Sequence, residues 1–190
     1  MPHAPVIVVS GLPRSGTSMV MQMIVAGGVQ AVTDGQRGAD ADNPRGYFEF
    51  ERVKQLRTDK AWLDDAAGKV VKVIHMLLPE LPDDRAYRVV FLDRDLREVV
   101  QSQTTMLARS AKAGGQLPPE RLLAIYQAQL ATVHAWLASR PNFVVLVIRH
   151  ADLLQAPLEQ AQKVNAFLGG ALDESAMAAV VDRSLYRNRA

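Results

Sequence analysis

Gly11 and Gly16 stand five residues apart and are followed by Thr17 and Ser18, directly after the apolar run VIVVS. Strand, glycine-bearing turn and helix in that order make an anion site. Backbone N–H groups converge on the anion, and the helix points its positive end at it. The frame is that of G-x-x-x-x-G-K-[ST], with Thr17 where the lysine stands. That lysine reaches the outer phosphates of a nucleoside triphosphate. Its absence, with Arg14 supplying a cation earlier in the turn, predicts a loop for a 5′-phosphate group without a triphosphate clamp. Arg14, Ser15, Gly16, Thr17 and Ser18 are therefore the candidate ligands.

The elements that must position this loop alternate between strands and helices, which predicts a parallel α/β sheet. Val6–Ser10, Val70–Ile74, Arg88–Leu92 and Phe143–Ile148 read as strands, apolar and rich in β-branched residues. Thr17–Ala26 reads as the helix after the loop, Val53–Leu63 as a second, and Asp95–Ala111 as a third, spaced through Leu96, Val99, Val100 and Leu107. Pro118 and Pro119 open a long helix whose face is Leu122, Ile125, Tyr126, Leu130, Val133 and Leu137. Short helices follow near Leu158–Phe167 and Glu174–Val181. The polar stretches Gly28–Gly46 and Ser110–Gln116 read as loops. No repeat and no linker divides the chain, so one three-layer α/β domain over residues 1–190 is expected, with a parallel sheet of four to five strands.

LPRSGTSM resembles the 5′-phosphosulfate loop of the sulfotransferases that use 3′-phosphoadenosine-5′-phosphosulfate (PAPS). There a Lys or Arg precedes Ser-Gly-Thr-[Ser/Thr], which Arg14, Ser15, Gly16, Thr17 and Ser18 match position by position. NPRGYFEFE (43–51) and KVIHMLLPELP (72–82) are similar to segments of small bacterial-type members. The resemblance implies the P-loop nucleotide-kinase-like fold, sulfuryl transfer to a hydroxyl or amine, and PAPS as donor with no metal required. It also implies an Arg at a strand end and a Ser eight residues later that hold the donor's 3′-phosphate. FLDRDLREVVQSQ offers Arg94 and Ser102 at that spacing. Strand carboxyl ends are where α/β sheets bind ligands, which supports Arg94 independently; the plain alternative is an Arg94 pair with Asp93 or Asp95. The Gly-rich Arg-Lys-Gly nucleotide cover of the cytosolic enzymes has no counterpart here; Arg183, Arg187 and Arg189 of the tail stand in its place, or are simply solvated.

Sulfuryl transfer requires in-line geometry and charge stabilisation on the leaving oxygen, which Arg14 and the loop N–H groups supply. The acceptor also needs a general base. Glu49 is the first candidate, because several carbohydrate and bacterial sulfotransferases take a glutamate from this region. His75 is the second, at the end of VVKVI; the cytosolic enzymes use Lys-Thr-His, and Lys72-Val-Ile-His75 has one residue more, which on a strand would turn the side chain to the other face. Glu51 is the third. Trp62 and Trp136 read as packing residues and His134 as a surface residue.

The absence of Cys excludes disulfides, thiolate metal sites and a Cys nucleophile. A net charge of +2, with no Lys/Arg block, argues against nucleic acid as partner. No apolar run approaches the ~20 residues of a membrane helix, so a cytoplasmic protein with no membrane partner is expected. A small molecule, a carbohydrate and a peptide all stay open as acceptor. A nucleotide-kinase-type phosphotransferase and a PAP-binding or PAPS-binding protein without turnover are the rival readings (PAP is 3′,5′-bisphosphoadenosine, the spent donor).

Overall fold

The computed structural model describes residues 4–36, 38–39, 46–109 and 117–182, the side chains of 107–109 excepted. The loop expected over Ser110–Gln116 and the tail arginines Arg183, Arg187 and Arg189 lie outside the described residues.

Four parallel strands form the sheet in the order β2-β1-β3-β4. They are β1 (Val6–Gly11), β2 (Val70–Lys72), β3 (Tyr87–Asp93) and β4 (Phe143–Arg149). β1 is buried at every position, as a central parallel strand covered on both faces must be. The fold class is that expected, an α/β P-loop-like architecture with helices flanking a central parallel sheet.

One face of the sheet packs its Val9, Val90 and Leu92 with Met21 and Ile24 of α1 (Thr17–Ala26). The other packs Val8, Val89 and Phe91 with Val133 and Leu137 of α3 (Pro119–Ala138). Between β3 and α3 runs α2 (Leu96–Arg109). Asp95 caps it: its Oδ1 accepts from the N–H of Arg97 at 2.8 Å and of Glu98 at 3.3 Å. After β4 come α4 (His150–Gln155), α5 (Pro157–Leu168) and α6 (Glu174–Ala179). Trp62 and Trp136 are packing residues as expected, edge-on to Phe50 and Phe143 at 5.3 and 5.0 Å.

Three elements differ from their sequence readings, one of them α4, which the sequence did not announce. The helix expected over Val53–Leu63 is two short 3-10 turns, Glu51–Gln55 and Ala61–Ala66. Asp59 separates them: its carboxylate takes Arg52 at 2.6 and 2.8 Å and the N–H of Ala61 at 3.3 Å, a local bonding pattern that competes with helix. The strand expected over Val70–Ile74 stops at Lys72, and His75–Glu80 is a 3-10 turn containing Pro79. The face-reversal expected for His75 on a strand therefore does not arise.

Candidate active site

Register carries the strand ends to one edge of the sheet. Gly11 pairs with Leu92, Val9 with Lys72, and Asp93 with Arg149. The loop after β1, Lys72, Arg94 and His150 thus emerge side by side. The chain runs from β1 to β2 on one side and then returns to β3 on the other, so the crevice between β1 and β3 is the switch point where open α/β sheets take ligands.

The loop is shaped by two glycines whose replacement the fold does not tolerate. Gly11 has φ 149°, and a Cβ there would lie 2.7 Å from Ser15 Oγ and 2.8 Å from the Leu92 carbonyl. Gly16 has φ 104°, and its Cβ would lie 2.8 Å from Cδ2 of His150. Between them Arg14 takes the left-handed conformation at φ 68°, which is uncommon away from glycine. Gly16 begins α1 without a side-chain cap, and the first turn carries no acidic residue. The positive helix end is therefore left for an external anion. Ser10 Oγ and Ser15 Oγ are buried beside it with no hydrogen-bond partner among the described residues. Leaving such atoms unpaired costs about 1–3 kcal/mol each.

Arg14, Arg94 and Ser102 meet, although 80 and 88 residues separate them in sequence. Arg14 Nε donates to Ser102 Oγ at 3.1 Å. Arg94 Nη1 donates to the Arg14 carbonyl at 3.0 Å and so braces the loop in its left-handed turn. Arg94 Nε donates to Glu98 at 2.9 Å, one helical turn on, with the two side chains only 9% and 11% exposed. Glu98 is thus an ion-pair partner of Arg94, where the sequence had offered Asp93 or Asp95. His150 packs beneath Gly16 and is buried. Burial pulls its pKa down from 6.5 to about 4, with Arg94 adding to the effect and Glu98 opposing it. The ring is therefore neutral at physiological pH.

On the other side of the loop, Lys72 Nζ donates to Ser18 Oγ at 2.9 Å and to the Tyr47 carbonyl at 2.6 Å. It also lies 5.8 Å from the Tyr47 ring centroid. A lysine absent from the loop thus arrives from β2. It ties the start of α1 to the segment that carries Glu49, two residues beyond Tyr47. Phe48 has φ 52°, a second strained residue at the site. Thr33 Oγ1 donates to the Glu49 carbonyl at 2.9 Å. Glu51 opens its 3-10 turn and pairs with Lys54 at 2.6 Å, which is the bland role of a turn-start glutamate. His75, three residues past Lys72, is 2% exposed. Its Nε2 meets Gln129 Oε1 of α3 at 3.0 Å, and its Nδ1 has no hydrogen-bond partner among the described residues. Among the described residues no three histidine, aspartate or glutamate side chains come together as metal ligands do.

Lys72 in its bonding role, Glu98, Gln129 and His150 are the site residues that sequence reasoning did not assign. Lys72 had a signal, a lysine closing an otherwise apolar buried strand. Gln129 had one too, a polar residue within the apolar stripe of a long helix.

An uncapped helix start behind a two-glycine turn, with cations from two further strand ends, is the geometry in which α/β folds place an anion site. The sulfotransferase domain family matches residues 4–189, and the chain belongs to that family. No curated protein sequence matches it. Its fold is similar to mouse sulfotransferase SULT7A1 complexed with PAP, at TM-score 0.59 and 16% identity over 92% of this chain. The chain spans 62% of the length of that enzyme. It is also similar to the sulfotransferase domain of the curacin biosynthetic pathway, with TM-score 0.56, 13% identity, and 96% and 84% of the two chains covered. A sulfotransferase from Alicyclobacillus acidocaldarius gives TM-score 0.54 and 15% identity over 95% and 87%.

Proposed function

We propose that this protein transfers a sulfuryl group from PAPS to a hydroxyl or amine of a small-molecule, carbohydrate or peptide acceptor. The observation that carries the reading is the meeting of Arg14, Arg94 and Ser102. The contact between the loop and the strand-end pair supports a donor phosphorylated at both the 5′ and the 3′ position. The PAP bound to the mouse relative is in keeping with this.

In this reading Arg14 and the N–H groups of Ser15, Gly16, Thr17 and Ser18 take up the charge that develops on the leaving 5′-phosphate. Arg94 and Ser102 hold the 3′-phosphate, and Lys72 adds positive charge at the loop's other flank. The acceptor's proton goes to His75 Nδ1, an unpaired nitrogen at the end of β2. Glu49 is the competing base, on the segment that Lys72 tethers. The acceptor oxygen bonds to sulfur as the bond from sulfur to the 5′-phosphate oxygen breaks, and the imidazolium then releases its proton to solvent.

Calorimetry without Mg²⁺ tests the donor assignment. PAP is expected to bind at least about tenfold tighter than AMP, the result of one charge-assisted hydrogen bond or more to the 3′-phosphate. Equal affinity for PAP and AMP overturns the 3′ site, and a preference for ATP with Mg²⁺ turns the reading toward a kinase.

A further inference from the structure

The face of α3 follows the helical repeat through Leu122, Ile125, Tyr126, Leu130, Val133 and Leu137, and the long helix packs over the 3-10 turn that begins at His75. Gln129 belongs to the same stripe, four residues after Ile125 and four before Val133, and is partly buried there. Packing alone asks for an apolar residue at such a position. A carboxamide inside the stripe departs from the local rule, and departures of this kind concentrate at functional sites. Its carboxamide oxygen meets Nε2 of His75 at 3.0 Å.

We propose that Gln129 is a positioning residue, whose Oε1 accepts Nε2–H of His75 and so fixes the neutral imidazole in the tautomer that keeps the lone pair on Nδ1. This rests on the reading of His75 as the base. The chemistry of the pair separates Gln129 from a carboxylate orienter. A neutral imidazole has one donor and one acceptor nitrogen, and the hydrogen bond made by one sets the role of the other. With Nε2–H given to Gln129, Nδ1 is the only ring atom able to take a proton. A carboxylate in Gln129's place would also stabilise the imidazolium. A carboxamide orients the ring without adding that charge. Nδ1 is shielded as well as unpaired. An acceptor hydroxyl therefore reaches it only as the surrounding side chains part, which holds the base from water until an acceptor enters.

The test uses the full chain with its histidine ring nitrogens isotope-labelled, read by long-range proton–nitrogen correlation at neutral pH. His75 is expected as the Nε2–H tautomer in the unaltered protein, a measurement that needs no variant and no acceptor. Gln129→Leu should give a mixture of tautomers and lower kcat for PAPS and a phenol acceptor by about tenfold to a hundredfold, the span usual for groups that orient a functional histidine. PAP affinity should not change. Gln129→Glu, close to isosteric, should carry the acid limb of the kcat profile to higher pH, because a carboxylate beside the imidazole favours its charged form. An Nδ1–H tautomer in the unaltered protein overturns the proposal, whatever the rates. So does a Gln129→Leu protein whose tautomer and pH profile are unmoved. A fully active His75→Asn protein with the Nε2–H tautomer in place overturns the base reading, and with it the positioning role, while leaving the hydrogen bond itself correct.

Discussion

The two flanks of the loop are built on different terms. At the ends of β1, β3 and β4, Arg14, Ser102, Arg94, Glu98 and His150 hold one another through a hydrogen bond, a buried ion pair and direct packing. The unpaired atoms there are hydroxyls of Ser10 and Ser15, which rotate to meet a ligand. At the end of β2 one lysine ties the segment together, and the unpaired atom is a ring nitrogen that has no such freedom. In the proposed reading the first flank is prearranged for a donor that is the same in every turnover, and the second keeps its base in reserve. Preorganised charge is what phosphate recognition asks for, whereas a base must stay uncommitted until the acceptor arrives.

That contrast breaks most visibly in turnover. His75→Asn should cut kcat by about 10²–10⁴-fold, the usual span for losing general-base catalysis, and leave PAP affinity intact. Glu49→Gln should cost less. The reverse ranking in steady-state assays would move the base to Glu49, and two active variants would leave the β2 flank without a base. On the other flank, Arg94→Ala should destabilise the fold as well as weaken PAP. It takes the guanidinium away from the Glu98 carboxylate, whose side chain is only 11% exposed. Breaking a buried pair from one side costs about 3–5 kcal/mol. Urea melts should show that loss, and Arg94→Met with Glu98→Leu should recover most of it. An Arg94→Ala protein as stable as the parent would mean the pair serves the ligand alone.

Legibility in the sequence divides along the same line. The loop could be read because its chemistry is local: two glycines, one arginine and a helix start lie within eight consecutive residues. Arg94 and Ser102 could be read because strand and helix fix their spacing. The strands agree within one residue at each end except at β2, where the apolar run continues past Lys72 while the backbone turns away into the 3-10 segment. Burial alone does not separate these, since Val73 is as buried as Val71. The helix read over Val53–Leu63 failed because Asp59 and Arg52 bond locally and periodicity does not register that. Contacts between distant segments were out of reach: nothing in the sequence joins His75 to Gln129 or His150 to Gly16. Glu98 was hidden for a different reason, since a helix glutamate reads as solvated until the arginine one turn back is known to be buried.

The mildest test of the comparison is acid. His150 sits in the prearranged flank with its pKa drawn down from 6.5 to about 4, by burial first and the nearby Arg94 second. A histidine with a depressed folded pKa takes up its proton more readily when unfolded. Its contribution is therefore unchanged above about pH 6.5, is lost as pH falls toward 4, and then levels off. The window spans 2.5 units, the difference between those two values, so the loss amounts to about 3 kcal/mol at about 1.4 kcal/mol per unit. Carboxylates act lower. Asp34, Asp59 and Asp84 are all held below the ordinary 3.8, by hydrogen bonds from the Glu51 N–H, Arg52 and Arg85 respectively. Denaturant melts between pH 5 and 6.5 thus read His150 nearly alone. His150→Asn should flatten that limb while leaving the carboxylate limb below it in place. Because the imidazole packs under Gly16, the same variant should loosen the loop and weaken PAP by a few fold at neutral pH, where the His150 charge plays no part. An unchanged acid limb would show that water or local opening reaches the imidazole already, and that the β4 end of the flank is not packed as tightly as the Arg94–Glu98 pair beside it.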